Sequence, residues 1–222
     1  MSELSEGIFY TVRRSERARR VRVTVDIERG VEVVLPRRAA HRDAAAAVRE
    51  LRPWIERRLA ESGRQREAIA ARGQTLPFLG LTLRLEPQPG RERVARNGDT
   101  LLVPDGPARA AAIERWYRRQ ARDQFAPRVQ QACAALGVRC TRITIRGQRT
   151  RWGSCSRSGA LSFNWRLLLA PEPVVDYVVW HEVCHLLAHD HSARFWELVA
   201  VHCPDHRRQI EWLRRHGATL VI

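Results

Sequence analysis

The chain has 222 residues, a formal charge of +15 and 44% hydrophobic residues, enough for one large domain or two small ones. No apolar run approaches the ~18 residues of a membrane span, and the first residues lack the basic and apolar regions of a secretory signal, so neither is expected. The five cysteines (Cys133, Cys140, Cys155, Cys184, Cys203) are odd in number and form no C-x-x-C. That pattern argues against a disulfide framework or a cysteine-rich zinc knuckle, and free thiols point to a cytoplasmic protein.

Residues 8–36 read as three strands, around Phe9–Val12, Val21–Val25 and Val31–Leu35, with Gly30 suited to a hairpin turn. Residues 42–72 are helical, and Pro53 restarts the helix near Trp54. Further strands are expected over residues 76–85 and 101–103, with Asn97 and Gly98 giving a strong turn signal. Residues 107–136 form a helix or a broken pair, with Pro127 as the kink and Gly137 as the stop. Residues 141–146 alternate as a strand, and residues 160–164 are the expected hairpin partner. A helix over the 170s and 180s and two more helices complete an α+β chain. We expect an N-terminal antiparallel β-rich part with a helix, residues 1–105, and a C-terminal part, residues 106–222.

Residues 181–185 read His-Glu-Val-Cys-His. Positions four apart share one helix face, so His181 and His185 can grip one metal ion. In the H-E-x-x-H arrangement the glutamate, here Glu182, is the base towards a metal-activated water. The motif is short, so its setting matters. Val174, Val175, Val178 and Val179 precede it, and Trp180, Cys184 and Leu187 make the opposite side apolar, as in a buried helix. A carboxylate on such a helix needs a partner or a chemical role. The bland alternative is a core in which the polar groups only satisfy one another. A catalytic zinc site wants three protein ligands and one open position. Spacing favours His191 as the third, with His189 and Asp190 as alternatives; Ser192 is a fitting N-cap for a helix through Phe195, Trp196, Leu198 and Val199.

Further residues join this motif: Arg151, Trp152, Gly153, Ser154, Cys155 and Ser156, then Gly159, Leu161 and Asn164, then Asp176 and Tyr177, then Phe195 and Trp196, with Pro204, Asp205, Trp212 and Leu213 near the end. Together they resemble the YgjP-like family of SprT-related zinc metallopeptidases, which is gluzincin-like. The likeness extends more weakly to residues 10–20, to Trp54 and Ile55, and to Leu79 and Gly80. What it implies is a zincin-like catalytic part over residues 106–222 and a Zn2+-dependent hydrolase of polypeptides, with His181, His185 and His191 as ligands and Glu182 as base. In such peptidases a strand before the metal helix offers its edge to an extended peptide, and the segment 160–167 is placed for that. In the family pattern the third histidine stands directly before Ser-x-x-Phe-Trp, which strengthens His191. Relatives often carry Asn where Asp190 stands.

In this scheme Glu182 takes a proton from water and passes it to the leaving amine. Tyr177 and Arg151 are candidates for substrate or oxyanion contact. Two rivals share the same residues. A metal-dependent nucleoside triphosphate pyrophosphatase would clamp phosphates with Arg146, Arg149 and Arg151. A nucleic-acid-binding module would use its zinc structurally. All 39 basic residues are arginine, which suggests compositional bias. Their local density at Arg13, Arg14, Arg17, Arg19, Arg20 and Arg22, and at Arg118 and Arg119, still invites nucleic acid or nucleotide contact.

Overall fold

The computed structural model describes residues 2–5, 7–26, 29–148 and 150–222. The chain is α+β and divides into two compact units, Met1–Ala71 and Arg72–Ile222.

The first unit contains β1 (Ser2–Ser5), β2 (Ile8–Ser15), β3 (Arg22–Asp26), β4 (Gly30–Pro36), α1 (Arg42–Glu50) and α2 (Arg52–Ala70). Its sheet has the order β1-β2-β4-β3, with β2 and β4 parallel and the outer pairs antiparallel. Alternation along β4 turns Val31, Val33 and Leu35 inward. They pack with Ile8, Tyr10, Val23, Ala44, Val48 and Ile55. The helical stretch breaks at Leu51, and Pro53 sits in the first turn of α2, where its missing N–H costs nothing. Gly30 has the expected left-handed backbone, φ +72°. Ile27 and Glu28, in the same turn, lie outside the described residues.

The second unit contains β5 (Thr75–Phe78), β6 (Leu81–Gln88), β7 (Ala95–Asn97), β8 (Thr100–Pro104), α3 (Arg109–Leu136), β9 (Arg142–Arg146), β10 (Gly153–Cys155), β11 (Ala160–Asn164), a 3₁₀ turn (Trp165–Leu169), α4 (Glu172–Cys184), α5 (Ala193–His202) and α6 (His206–His216). The strands of residues 75–104 belong to this unit and not with the N-terminal part. Leu83, Leu101 and Val103 share one core with Trp116, Phe125, Val175 and Phe195. The compact units therefore divide at 71/72, whereas the sequence suggested 105/106.

Residues 76–85 form two strands, because Leu79 and Gly80 both take positive φ (52° and 88°) and close a tight hairpin. The turn expected at Asn97 and Gly98 joins β7 to β8 through Gly98 (φ 57°) and Asp99, with Asn97 paired to Thr100. The helix of residues 107–136 is a single one, with Pro127 inside it. Gly137 ends it in the left-handed region at φ 65°, and Val138 N–H returns to Cys133 C=O at 3.0 Å.

The small sheet beside the candidate site has the order β10-β11-β9. Here two expectations change. β11 pairs with β9 in parallel, and its antiparallel hairpin partner is β10. β11 is therefore the central strand and has no free edge; the edge strands are β10 and β9. Phe163 of β11 stacks on Phe125 of α3 at 4.7 Å between centroids, which ties this sheet to the core.

Candidate metal centre

α4 is apolar on nearly every side and is buried at Val174, Val175, Val178, Val179, Val183 and Cys184. Its start is pinned from α3: Arg128, 17% exposed, donates to Asp176 at 2.9 Å and to Glu172. Such a helix is a rigid carrier for any polar side chain it presents.

α4 ends at Cys184, one residue before His185. His185 keeps helical dihedrals (φ −64°, ψ −15°), so the i, i+4 relation to His181 survives the helix end. The chain then turns, and Leu187, expected on an apolar helix face, is 41% exposed. The turn returns His191 to the other two histidines, directly ahead of α5. Ser192 has the extended backbone of an N-cap, though its side chain makes no capping bond. Its N–H donates instead to Asp190 Oδ1 at 3.1 Å. Asp190 is thus occupied with the turn, and the group of potential metal-binding side chains comprises His181, His185 and His191. Neither His189 nor Asp190 belongs to it.

One ring nitrogen from each of those three histidines lies within 4.8 Å of the other two. His181 Nε2 faces His191 Nε2 at 3.2 Å. The remaining nitrogens of the two α4 histidines are engaged elsewhere. His185 Nδ1 meets Ala188 C=O at 2.9 Å, so it carries the proton and leaves Nε2 as an acceptor. His181 Nδ1 meets the Tyr177 hydroxyl at 3.3 Å. Burial, then the neighbouring His185 and His191, push His181 down to about 3, and burial also lowers His185. Imidazole nitrogens that converge in this way form a cradle for a cation. The donor set suits zinc or a similar divalent metal.

Phe195 floors this cradle. It is fully buried and lies 4.4 Å, 5.0 Å and 4.9 Å, centroid to centroid, from His185, His181 and His191. Sequence reasoning gave Phe195 only a place on a helix; its spacing from His191 was the available clue.

Glu182, 6% exposed, lies against β10. A Cβ placed on Gly153 would stand 2.5 Å from its Oε1 and 2.6 Å from its Cγ. Burial lifts Glu182 to about 7, against the pull of the Arg151 charge. Arg151 itself is exposed. Cys155, on the same face of β10 as Gly153, is raised to about 11 by burial and then by Glu182, which keeps it a thiol, and it is not in the group of potential metal-binding side chains.

Tyr177 is placed differently from expectation. It is 6% exposed, and its hydroxyl addresses His181 at the nitrogen not shared with His191. It braces the ring. Asn164, quoted above without a role, is a buried post: its Nδ2 donates to Gln148 C=O at 2.6 Å and Arg151 C=O at 3.1 Å, and its Oδ1 accepts from Arg166 N–H at 3.1 Å. It holds the segment that leads into β10. Arg149 lies outside the described residues, so the phosphate clamp suggested for Arg146, Arg149 and Arg151 has no complete geometry.

Two solved structures are similar to part of the chain. One is the abylysin metallopeptidase zymogen of Pyrococcus abyssi, at 22% identity and a TM-score of 0.36 over 41% of this chain and 97% of that one. The other is the jannalysin metallopeptidase zymogen of Methanocaldococcus jannaschii, at 17% identity and 0.36 over 40% and 95%. No curated protein matches. A family model, described as the YgjP-like metallopeptidase domain, matches residues 19–216, nearly the whole length, and on that extent the chain belongs to the YgjP-like metallopeptidases.

Proposed function

We propose that this metallopeptidase is a zinc enzyme that hydrolyses peptide bonds, with His181, His185 and His191 as ligands and Glu182 as general base. The observation that carries the reading is the convergence of three imidazole nitrogens within 4.8 Å beside a buried carboxylate on the same helix. When bound, zinc supplies Lewis acidity that polarises the scissile carbonyl and acidifies water. Glu182 accepts the proton of the attacking water and delivers it to the departing amine. Its elevated affinity for protons suits that two-way traffic near neutral pH. Tyr177 and the Ala188 carbonyl fix the ring orientations of His181 and His185. Arg151 is the remaining candidate for stabilising the oxyanion.

The edge of β10 suits an extended peptide. Asn164 N–H bonds Trp152 C=O at 2.8 Å and Ser156 N–H bonds Ala160 C=O at 2.9 Å. In an antiparallel pair these bonds alternate along the strand, so Gly153 and Cys155 turn their N–H and C=O groups outward. A substrate strand paired there would run past Glu182.

The test is cleavage of an unfolded protein by the zinc-loaded chain beside Glu182→Gln. We expect new amino groups from the parent and a loss of about 10³-fold in the variant, with zinc content equal. Release of phosphate or pyrophosphate from nucleoside triphosphates, with no new amines, would replace this reading with nucleotide hydrolysis.

A further inference from the structure

The arginines of the first unit are not evenly spread. Residues 13–22 and 36–38 hold eight of the chain's 39 arginines in thirteen of its 222 positions, with Glu16 the lone acid among them. Compositional bias alone would place about two there. Topology then gathers all eight. β2 and β4 run parallel and end together, Ser15 opposite Pro36, while β3 starts beside them with Arg22 opposite Val34. β4 lies between β2 and β3, so the connection 16–21, carrying Arg17, Arg19 and Arg20, crosses the end of β4 from which Arg37 and Arg38 emerge. Arg13, Arg14, Arg22, Arg37 and Arg38 complete the cluster, and every one of the eight is exposed.

The cluster is also pre-shaped. Arg14 donates to the carbonyls of Arg37 at 2.8 Å and Ala39 at 3.0 Å, which fastens the Arg37–Arg38 segment to the end of β2. Glu32 pairs with Arg13 at 3.2 Å, and Glu16 lies 3.7 Å from Arg37 with both side chains about 80% exposed, so these acids leave the cluster strongly positive. We propose that this end of the N-terminal sheet is a binding surface for double-stranded nucleic acid, contacting the phosphodiester backbone. A duplex fits better than a single strand, because among the described residues of 13–22 and 36–38 there is no aromatic ring to stack on bases; Phe9, 72% exposed, is at the opposite end of β2. A lipid surface fits less well, since among the described residues the exposed large apolar side chains of this unit are Leu4, Phe9 and Leu51, none of them within 13–22 or 36–38. The inference is independent of the peptidase reading.

The test uses the full chain and labelled DNA and RNA duplexes, titrated between about 50 and 200 mM salt. One variant combines Arg17→Gln, Arg19→Gln and Arg20→Gln. A charge-matched control combines Arg57→Gln, Arg64→Gln and Arg66→Gln on the exposed side of α2. We expect the loop variant to bind at least about tenfold more weakly, with a salt slope shallower by about 2.7 for three lost phosphate contacts, and the control to bind as the parent does. The two duplex arms identify which nucleic acid is taken. Equal losses in both variants would overturn the proposal, because bulk charge would then explain binding. So would the absence of duplex binding at about 50 mM salt, or binding confined to vesicles containing phosphatidylserine.

Discussion

Gly153→Ala tests the geometry of the base most directly. Gly153 is not among the glycines with left-handed backbone, so alanine suits its conformation and the effect must come from space. The new methyl would stand 2.6 Å from Glu182 Cγ, and ordinary contact begins at 3.4 Å, so the side chain must recede by about 0.8 Å. The Cγ cannot swing aside as a flexible tip could, because α4 is buried on both flanks. A misplacement of about 1 Å at a reacting group costs on the order of 10²-fold in rate, or about 2.7 kcal/mol of activation energy. We expect kcat on a fluorogenic peptide to fall by that factor, while zinc content and thermal midpoint stay near the parent's. The same substitution in a Glu182→Ala background should cost less than about threefold of the residual rate, since no side-chain atom beyond Cβ remains there to meet the new methyl. An alanine variant with parental kcat, or an equal penalty in both backgrounds, would refute the steric argument.

Two further predictions concern the imidazoles. Tyr177→Phe removes the hydroxyl 3.3 Å from His181 Nδ1 and should weaken zinc binding by about tenfold in competition with a chromogenic chelator. A fall in kcat at unchanged zinc affinity would return Tyr177 to the oxyanion role first expected of it. Phe195→Ala opens the floor under all three rings and should cost about 3–5 kcal/mol in denaturant unfolding. Its zinc affinity should drop as well, and an unchanged affinity would show that Phe195 only fills space.

What the sequence made legible was what local geometry determines. His181 and His185 share a helix face whatever surrounds them, and the turn after Asn97 closes a hairpin because Gly98 adopts positive φ (57°) freely. His191 was already harder, since it depends on how the chain turns after Cys184. The strand β10 left no periodic signal, being three residues long, and so β11 was paired with β9 as a hairpin instead of in parallel, and was given a free edge. The same gap hid Gly153, whose contact with Glu182 spans almost thirty residues of chain and has no signature in either segment. The division at 71/72 was missed for a related reason: strands 75–104 look like those before them, and only packing shows which core they fill.

The two kinds of information meet at Glu182. The helix supplies the carboxylate and its phase relative to the ligands, but it does not set how strongly the group holds a proton. That depends on what excludes water from it. Gly153 lets the backbone of β10 close onto Glu182 to within the thickness of a methyl group, and this approach leaves the carboxylate 6% exposed. Burial then lifts it from an ordinary 4.5 to about 7, even with the positive charge of Arg151 acting in the opposite direction. A side chain at position 153 would disturb both properties together, because the contact that places the base is the contact that dries it. Steric placement and proton affinity at this site are therefore one structural feature, and it belongs to β10 as much as to the H-E-x-x-H helix.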